Sequence, residues 1–335
     1  MGLFKKERSV DRELHFGMTQ DGWQIALHRL PHRHTARSAS PILLCHGLGA
    51  NRHNLDAPGH LSLAEWLWNR GHDCWVVELR GAGFSSRPDG KNELEWSWTF
   101  DDYVRHDLTT ALDVIQMLTG KDTVHWVGHS MGGMLAYAFM TTEQSHRVRS
   151  ATTIGSPSFA QLNSAFIDLI LPLRPIVKRL KRLPYEGTGI ALIPAMPLFR
   201  ETVGRLFGNP RNMRNRDLIQ AIRLIPSDLP TSLILQFADW YGGQGFQSHD
   251  GRAVYWNELE RIQAPVLLIV GQVDRLSPLD EIRDIHDSLG SAEKSILVLS
   301  EAQGCRYDYG HIDPVFGRWA SSEVWPAIDQ WIRNH

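Results

Sequence analysis

Cysteine is scarce: there are three in 335 residues, an odd number, and none has the C-x-x-C spacing of a metal or redox site. That excludes a disulfide-stapled scaffold and a zinc ribbon. Long apolar stretches are missing too; no run of about 18 apolar residues supplies a spanning helix. Nor is charge of one sign in excess. Thirty-five basic side chains stand against 37 acidic ones, for a formal net charge of -2, which gives no electrostatic ground for a nucleic-acid partner. The first residues, Met1-Gly-Leu-Phe-Lys-Lys-Glu-Arg, have charge with no apolar segment behind it, and Lys6 stands where a myristoylation motif wants Ser or Thr. The expectation is a reduced, cytoplasmic protein in which Cys45 and Cys74 serve as small strand hydrophobes.

What is present is enough apolar sequence for a large core, 42% of the chain, in an ordered alternation. Residues 13–19 and 23–30 flank Asp21-Gly22 and predict a hairpin with a two-residue turn. Short apolar runs at 41–45, 74–79, 124–127 and 148–154 read as strands, and 63–69, 100–118 and 131–140 read as helices. The helix at 131–140 has no polar face, which is the mark of a buried one. Strand and helix resume at 265–270, 278–289 and 295–299, and a last helix is predicted from about 319 to 332. Such alternation specifies an α/β fold: a mostly parallel sheet with helices on both faces. It is interrupted for roughly a hundred residues, too long for a simple connection. The expected division is a core of 1–155 and 260–335 with a mostly helical cap inserted at 156–259. Two apolar cap segments, 165–173 and 190–199, are candidates for an acyl-binding wall.

Chemistry is concentrated at Val124-His-Trp-Val-Gly128-His129-Ser130-Met131-Gly132-Gly133. This is Gly-x-Ser-x-Gly with a strand running in and a helix running out. A serine on so tight a turn has its hydroxyl exposed, and glycines at 128 and 132 avoid collisions with the turn and neighbouring strands. Ser130 is therefore the candidate nucleophile. A serine hydroxyl needs a base to take its proton and an acid to orient that base. Asp274 follows the buried strand at 265–270, at the end where ligands meet parallel sheets. Asp280 is the competing acid but belongs to a first helical turn. His311, in Tyr309-Gly310-His311, lies between the last strand and the last helix and is the candidate base among 16 histidines. Backbone N–H groups of Met131 and Leu48 are the candidate oxyanion donors. His46 reads as a brace for the loop that carries Leu48.

With His46-Gly-Leu-Gly-Ala, Gly71-His-Asp-Cys-Trp-Val-Val-Glu-Leu-Arg-Gly and Phe100-Asp-Asp-Tyr-Val-Arg-His-Asp-Leu leading into Gly128-His-Ser-Met-Gly, the sequence resembles the α/β-hydrolase superfamily. The likeness is to its acid-lipase and related lipase/esterase branch. The later part, from Trp240 through Tyr309-Gly-His-Ile-Asp, is also similar to polyester synthase and depolymerase relatives. Polyester synthases use a cysteine nucleophile, and residue 130 here is serine. The resemblance implies carboxylic ester hydrolysis through an acyl-serine, with no metal or organic cofactor and a small-molecule or lipid-like ester as partner. It also implies oxyanion donors at Leu48 and Met131. The same apparatus serves acyltransferases, thioesterases and carbon–carbon bond hydrolases, and a binding protein on this scaffold is a further alternative.

Overall fold

Alternate residues of a strand point to opposite faces of its sheet, and the central strands of this chain are buried on both. The computed structural model describes residues 12–31, 39–158, 174–187, 204–205 and 207–335. In it β1 (Glu13–Met18), β2 (Gln24–Leu30), β3 (Ile42–Cys45), β4 (Cys74–Glu78), β5 (Val124–His129) and β6 (Val148–Ile154) precede a two-residue pair, β7 (Arg182–Leu183) and β8 (Leu229–Pro230). Then come β9 (Val266–Gly271) and β10 (Lys294–Leu299). Eight of these form one sheet in the order β1-β2-β4-β3-β5-β6-β9-β10. The six strands from β4 onward run parallel, and β1 and β2 are the antiparallel edge.

Each face carries its own core. Leu43, Cys45, Trp75 and Val77 point to one side, where they meet α2 (Leu108–Thr119), α3 (Met131–Met140) and α6 (Leu279–Ser288). Ile42, Leu44, Cys74 and Val76 point to the other, against α1 (Leu63–Trp68) and α7 (Trp325–Asn334). All ten residues of α3 are buried, as its lack of a polar face predicts. At about 1.5–3 kcal/mol for each large apolar side chain removed from water, this helix anchors the turn that precedes it. The three cysteines are unpaired, and Cys45 and Cys74 are buried. Among the described residues no helix is long and apolar enough to cross a membrane.

Three elements differ from expectation. The helix predicted over 100–118 widens into a π-helical turn over Tyr103–Asp107 before α2. The hairpin loop has five residues, 19–23, because Met18 pairs with Gln24. Asp21 sits instead in a turn closed by the Gly22 N–H to the Thr19 carbonyl at 3.0 Å, and it accepts from the Arg80 guanidinium at 2.6 and 3.0 Å. The last helix is also broken, into Ala320–Glu323 and α7, with Val324 between them. Pro326 is the cause: it lacks an N–H and its ring excludes a preceding helical turn.

The described part of 156–259 contains α4 (Asn215–Leu224) and α5 (Thr231–Asp239). Its last stretch is tied firmly to the strands and helices around it. Leu233, Phe237, Trp240, Phe246, Tyr255 and Leu259 join the same apolar cluster as α2 and α3. Buried Asp101 accepts from Gln236 Nε2 at 3.0 Å, from His249 N–H at 2.8 Å and from the Tyr255 hydroxyl. The apolar segments 165–173 and 190–199 lie outside the described residues.

Candidate active site

The link from β5 to α3 is a single residue, Ser130, with φ 53° and ψ −120°. It is the one non-glycine residue with positive φ among those described. That conformation costs on the order of 1–3 kcal/mol and persists only where surroundings enforce it. Here the enforcement is packing. A side chain on Gly128 would collide with the Gly132 backbone, one on Gly132 with the Cys45 carbonyl, and one on Gly133 with Ser156. The third of these glycines, Gly133, falls outside the five-residue motif and carries no motif signal of its own.

Three loops at the carboxyl ends of the parallel strands converge on Ser130. After β9, Asp274 Oδ1 accepts the backbone N–H groups of Leu276 and Ser277, both at 2.9 Å. Its Oδ2 faces His311 Nδ1 at 3.0 Å. After β10, His311 Nε2 lies 2.9 Å from Ser130 Oγ. One proton arrangement satisfies this chain: Nδ1–H donates to the carboxylate, and Nε2 accepts the serine O–H. Both members of the His–Asp pair are withdrawn from solvent, with side-chain exposures of 6% and 0%. Asp280, by contrast, is 74% exposed on α6 and pairs with Arg283 at 2.8 Å.

The third loop follows β3. Gly47 lies against the serine, so that a Cβ on it would come within 3.2 Å of Ser130 Cβ. Its neighbour Leu48 is half-buried, and Met131 is buried at the start of α3. Among the described residues neither backbone N–H is taken by a protein acceptor. His46 braces this loop: its Nε2 accepts the Leu79 N–H at 3.2 Å, so Nδ1–H donates to the Gly47 carbonyl at 2.9 Å.

Groups that carry no sequence motif hold the His311 loop. Ile312 N–H donates to the Phe207 carbonyl at 2.8 Å, and Asn209 Nδ2 donates to the Asp308 carbonyl at 2.7 Å. Asp313, fully buried, accepts from Gly310 N–H at 2.9 Å, Asn209 N–H at 3.2 Å and Asn212 Nδ2 at 2.7 Å. Every donor is neutral, so burial dominates and lifts its pKa from 3.8 to about 7. The folded chain therefore holds this proton more tightly than the unfolded chain. Between pH 3.8 and about 7 the native state carries more protons, and stability falls as pH rises. Asp313→Asn is expected to remove that slope. Asn212 Oδ1, buried without a partner, can turn to meet the new amide. Urea unfolding of both proteins from pH 4 to 8 checks this: the wild type should lose on the order of 2–4 kcal/mol relative to the variant, and parallel curves would refute it.

For metal, one group of potential ligands comes together among the described residues: Asp21, Asp102 and His106. It lies at the hairpin loop and the entry to α2, not among the loops around Ser130. Asp21 is already held by Arg80, and Asp102 accepts the Thr99 N–H at 2.7 Å.

Residues 40–302, well over half the chain, match the alpha/beta hydrolase fold family. Triacylglycerol lipase 2 of Arabidopsis thaliana is 31% identical over 44% of this chain and 38% of its own length. Lipase member N of Mus musculus is 24% identical over 95% of this chain and 86% of its own. A poly(3-hydroxyalkanoate) polymerase subunit of Haloferax mediterranei is 24% identical over 87% and 58%. Some relatives are therefore matched over less than half their length. Among solved structures, a thermophilic esterase from Thermogutta terrifontis superposes with a TM-score of 0.65 at 22% identity, covering 96% of this chain and 98% of that one. The likeness of fold and the extent of the family match lead to one conclusion: the chain belongs to the alpha/beta hydrolase fold family.

Proposed function

We propose that the chain is a serine hydrolase of carboxylic esters, with Ser130 as nucleophile, His311 as base and Asp274 as orienting acid. The observation that carries this reading is the unbroken path from Asp274 through His311 to the strained, outward-facing Ser130. Ser130 Oγ attacks the ester carbonyl carbon while His311 Nε2 takes its proton. The N–H groups of Leu48 and Met131 receive the negative charge that builds on the carbonyl oxygen. Collapse breaks the bond to the alcohol, which leaves with the proton from His311. Water, deprotonated by the same ring, then hydrolyses the acyl-serine. Residues 156–259 act as the cap over this site. The names of the lipase relatives support an ester as substrate.

The test is covalent. A fluorophosphonate probe should label Ser130, found by mass spectrometry of the tryptic peptide. A series of p-nitrophenyl esters from two to sixteen carbons, with triglyceride alongside, should show turnover and rank the acyl lengths. An unlabelled serine together with no ester turnover would refute the reading.

A further inference from the structure

His129, which immediately precedes the nucleophile, is 3% exposed, and both of its ring nitrogens face oxygen. Nδ1 is 3.0 Å from Asn54 Oδ1, and Nε2 is 3.1 Å from the backbone carbonyl of His311. A cationic ring could donate to both. Burial, and after it the His311 ring with its centroid 5.1 Å away, push the His129 pKa down to about 3. The ring is therefore neutral and has one proton for two acceptors.

The two acceptors are not equivalent. Asn54 Oδ1 already takes the Gly47 N–H at 3.0 Å, which also fixes the orientation of that amide. The buried carbonyl of His311 receives no other hydrogen bond among the described residues. A buried carbonyl left unpaired is rare in folded proteins, so the ring proton belongs on Nε2.

We infer that His129 is a positioning residue for the base: its Nε2–H fixes the backbone of His311 to the turn that carries Ser130. Residues 129 and 130 are consecutive at the end of the fully buried β5. The bond therefore refers the His311 loop, which arrives from the far end of the sequence, to the same rigid element as the nucleophile. Its catalytic consequence rests on the ester-hydrolysis reading; its geometry does not.

Two near-isosteric replacements separate the nitrogens. His129→Gln sets an amide donor near the Nε2 position, and His129→Asn sets one near the Nδ1 position. The glutamine variant should keep kcat within about threefold of wild type. The asparagine variant should lose about ten- to a hundredfold in kcat with little change in KM, since a base displaced by a fraction of an ångström costs rate and not binding. Equal losses in the two, a reversed order, or a loss confined to KM would overturn the inference. Should either variant fail to fold, ¹⁵N spectra of the unaltered protein decide. His129 Nε2 should be pyrrole-type and Nδ1 pyridine-type across neutral pH, and a proton on Nδ1 would overturn the assignment. Wild-type protein that is inert to esters and unlabelled at Ser130 would refute the ester reading alone, and the spectra would still decide the brace.

Discussion

Ser130→Ala is expected to lower kcat/KM for any ester the protein turns over by about 10⁴-fold or more. The size follows from what one oxygen atom does. Without Oγ there is no acyl-serine, and His311 loses the group it serves, since its Nε2 has Ser130 Oγ at 2.9 Å as partner. On the proposed mechanism, what remains is attack by water assisted by the Leu48 and Met131 N–H groups, a small residue of the full rate. The fold should be unaffected. The strain at φ 53° comes from the packing of Gly128, Gly132 and Gly133, and alanine meets the same backbone restraint as serine. Unfolding midpoints should therefore agree while turnover collapses. An alanine variant that keeps more than a tenth of wild-type turnover would remove Ser130 from the chemistry.

Why the serine was readable from sequence, and its supports were not, comes down to distance along the chain. The elbow is local: the strand, the turn glycines and the apolar helix all lie within 124–140, and each leaves a composition signature. That Asp274 and His311 come to lie beside Ser130 follows from order along the chain, because a parallel sheet presents successive loops at one edge. The strands and helices were legible for the same periodic reasons, and α3 matched its expected bounds. The break before α7 is legible in Pro326, which weighs more than the apolar spacing on either side of it. Asn54, Asn212 and Asp313 had no such signal. Asn212 meets Asp313 across 101 positions of sequence, and Asn54 meets His129 across 75. A single polar residue in a loop shows nothing of a partner that far off. The tight bonding of Asp101 to Gln236, His249 and Tyr255 was hidden for the same reason.

Asp274→Asn should cost about 10³- to 10⁴-fold in kcat while leaving the protein folded. The carboxylate has two duties, and asparagine can perform only one. Its Oδ1 takes the N–H groups of Leu276 and Ser277 at 2.9 Å, and this bonding keeps the loop in place before α6. An asparagine oxygen will occupy that position, because an amide NH₂ there would face two donors. Its NH₂ is then forced toward His311 Nδ1, where Asp274 Oδ2 stood at 3.0 Å. A donor at that point stabilises the tautomer with a lone pair on Nδ1 and the proton on Nε2. That tautomer cannot accept the Ser130 proton, so the nucleophile is left inactive with its geometry intact. Asp274→Ala loses both duties and should also be less stable than the asparagine variant by about 1–3 kcal/mol, the cost of stranding buried donors. Steady-state kinetics and urea unfolding on the pair give the answer, with Asp280→Asn as a control expected to match wild type. Ester turnover within tenfold of wild type in Asp274→Asn would mean that His311 is oriented by something else. Equal stability of the two Asp274 variants would mean that the Leu276 and Ser277 bonds do not hold the loop.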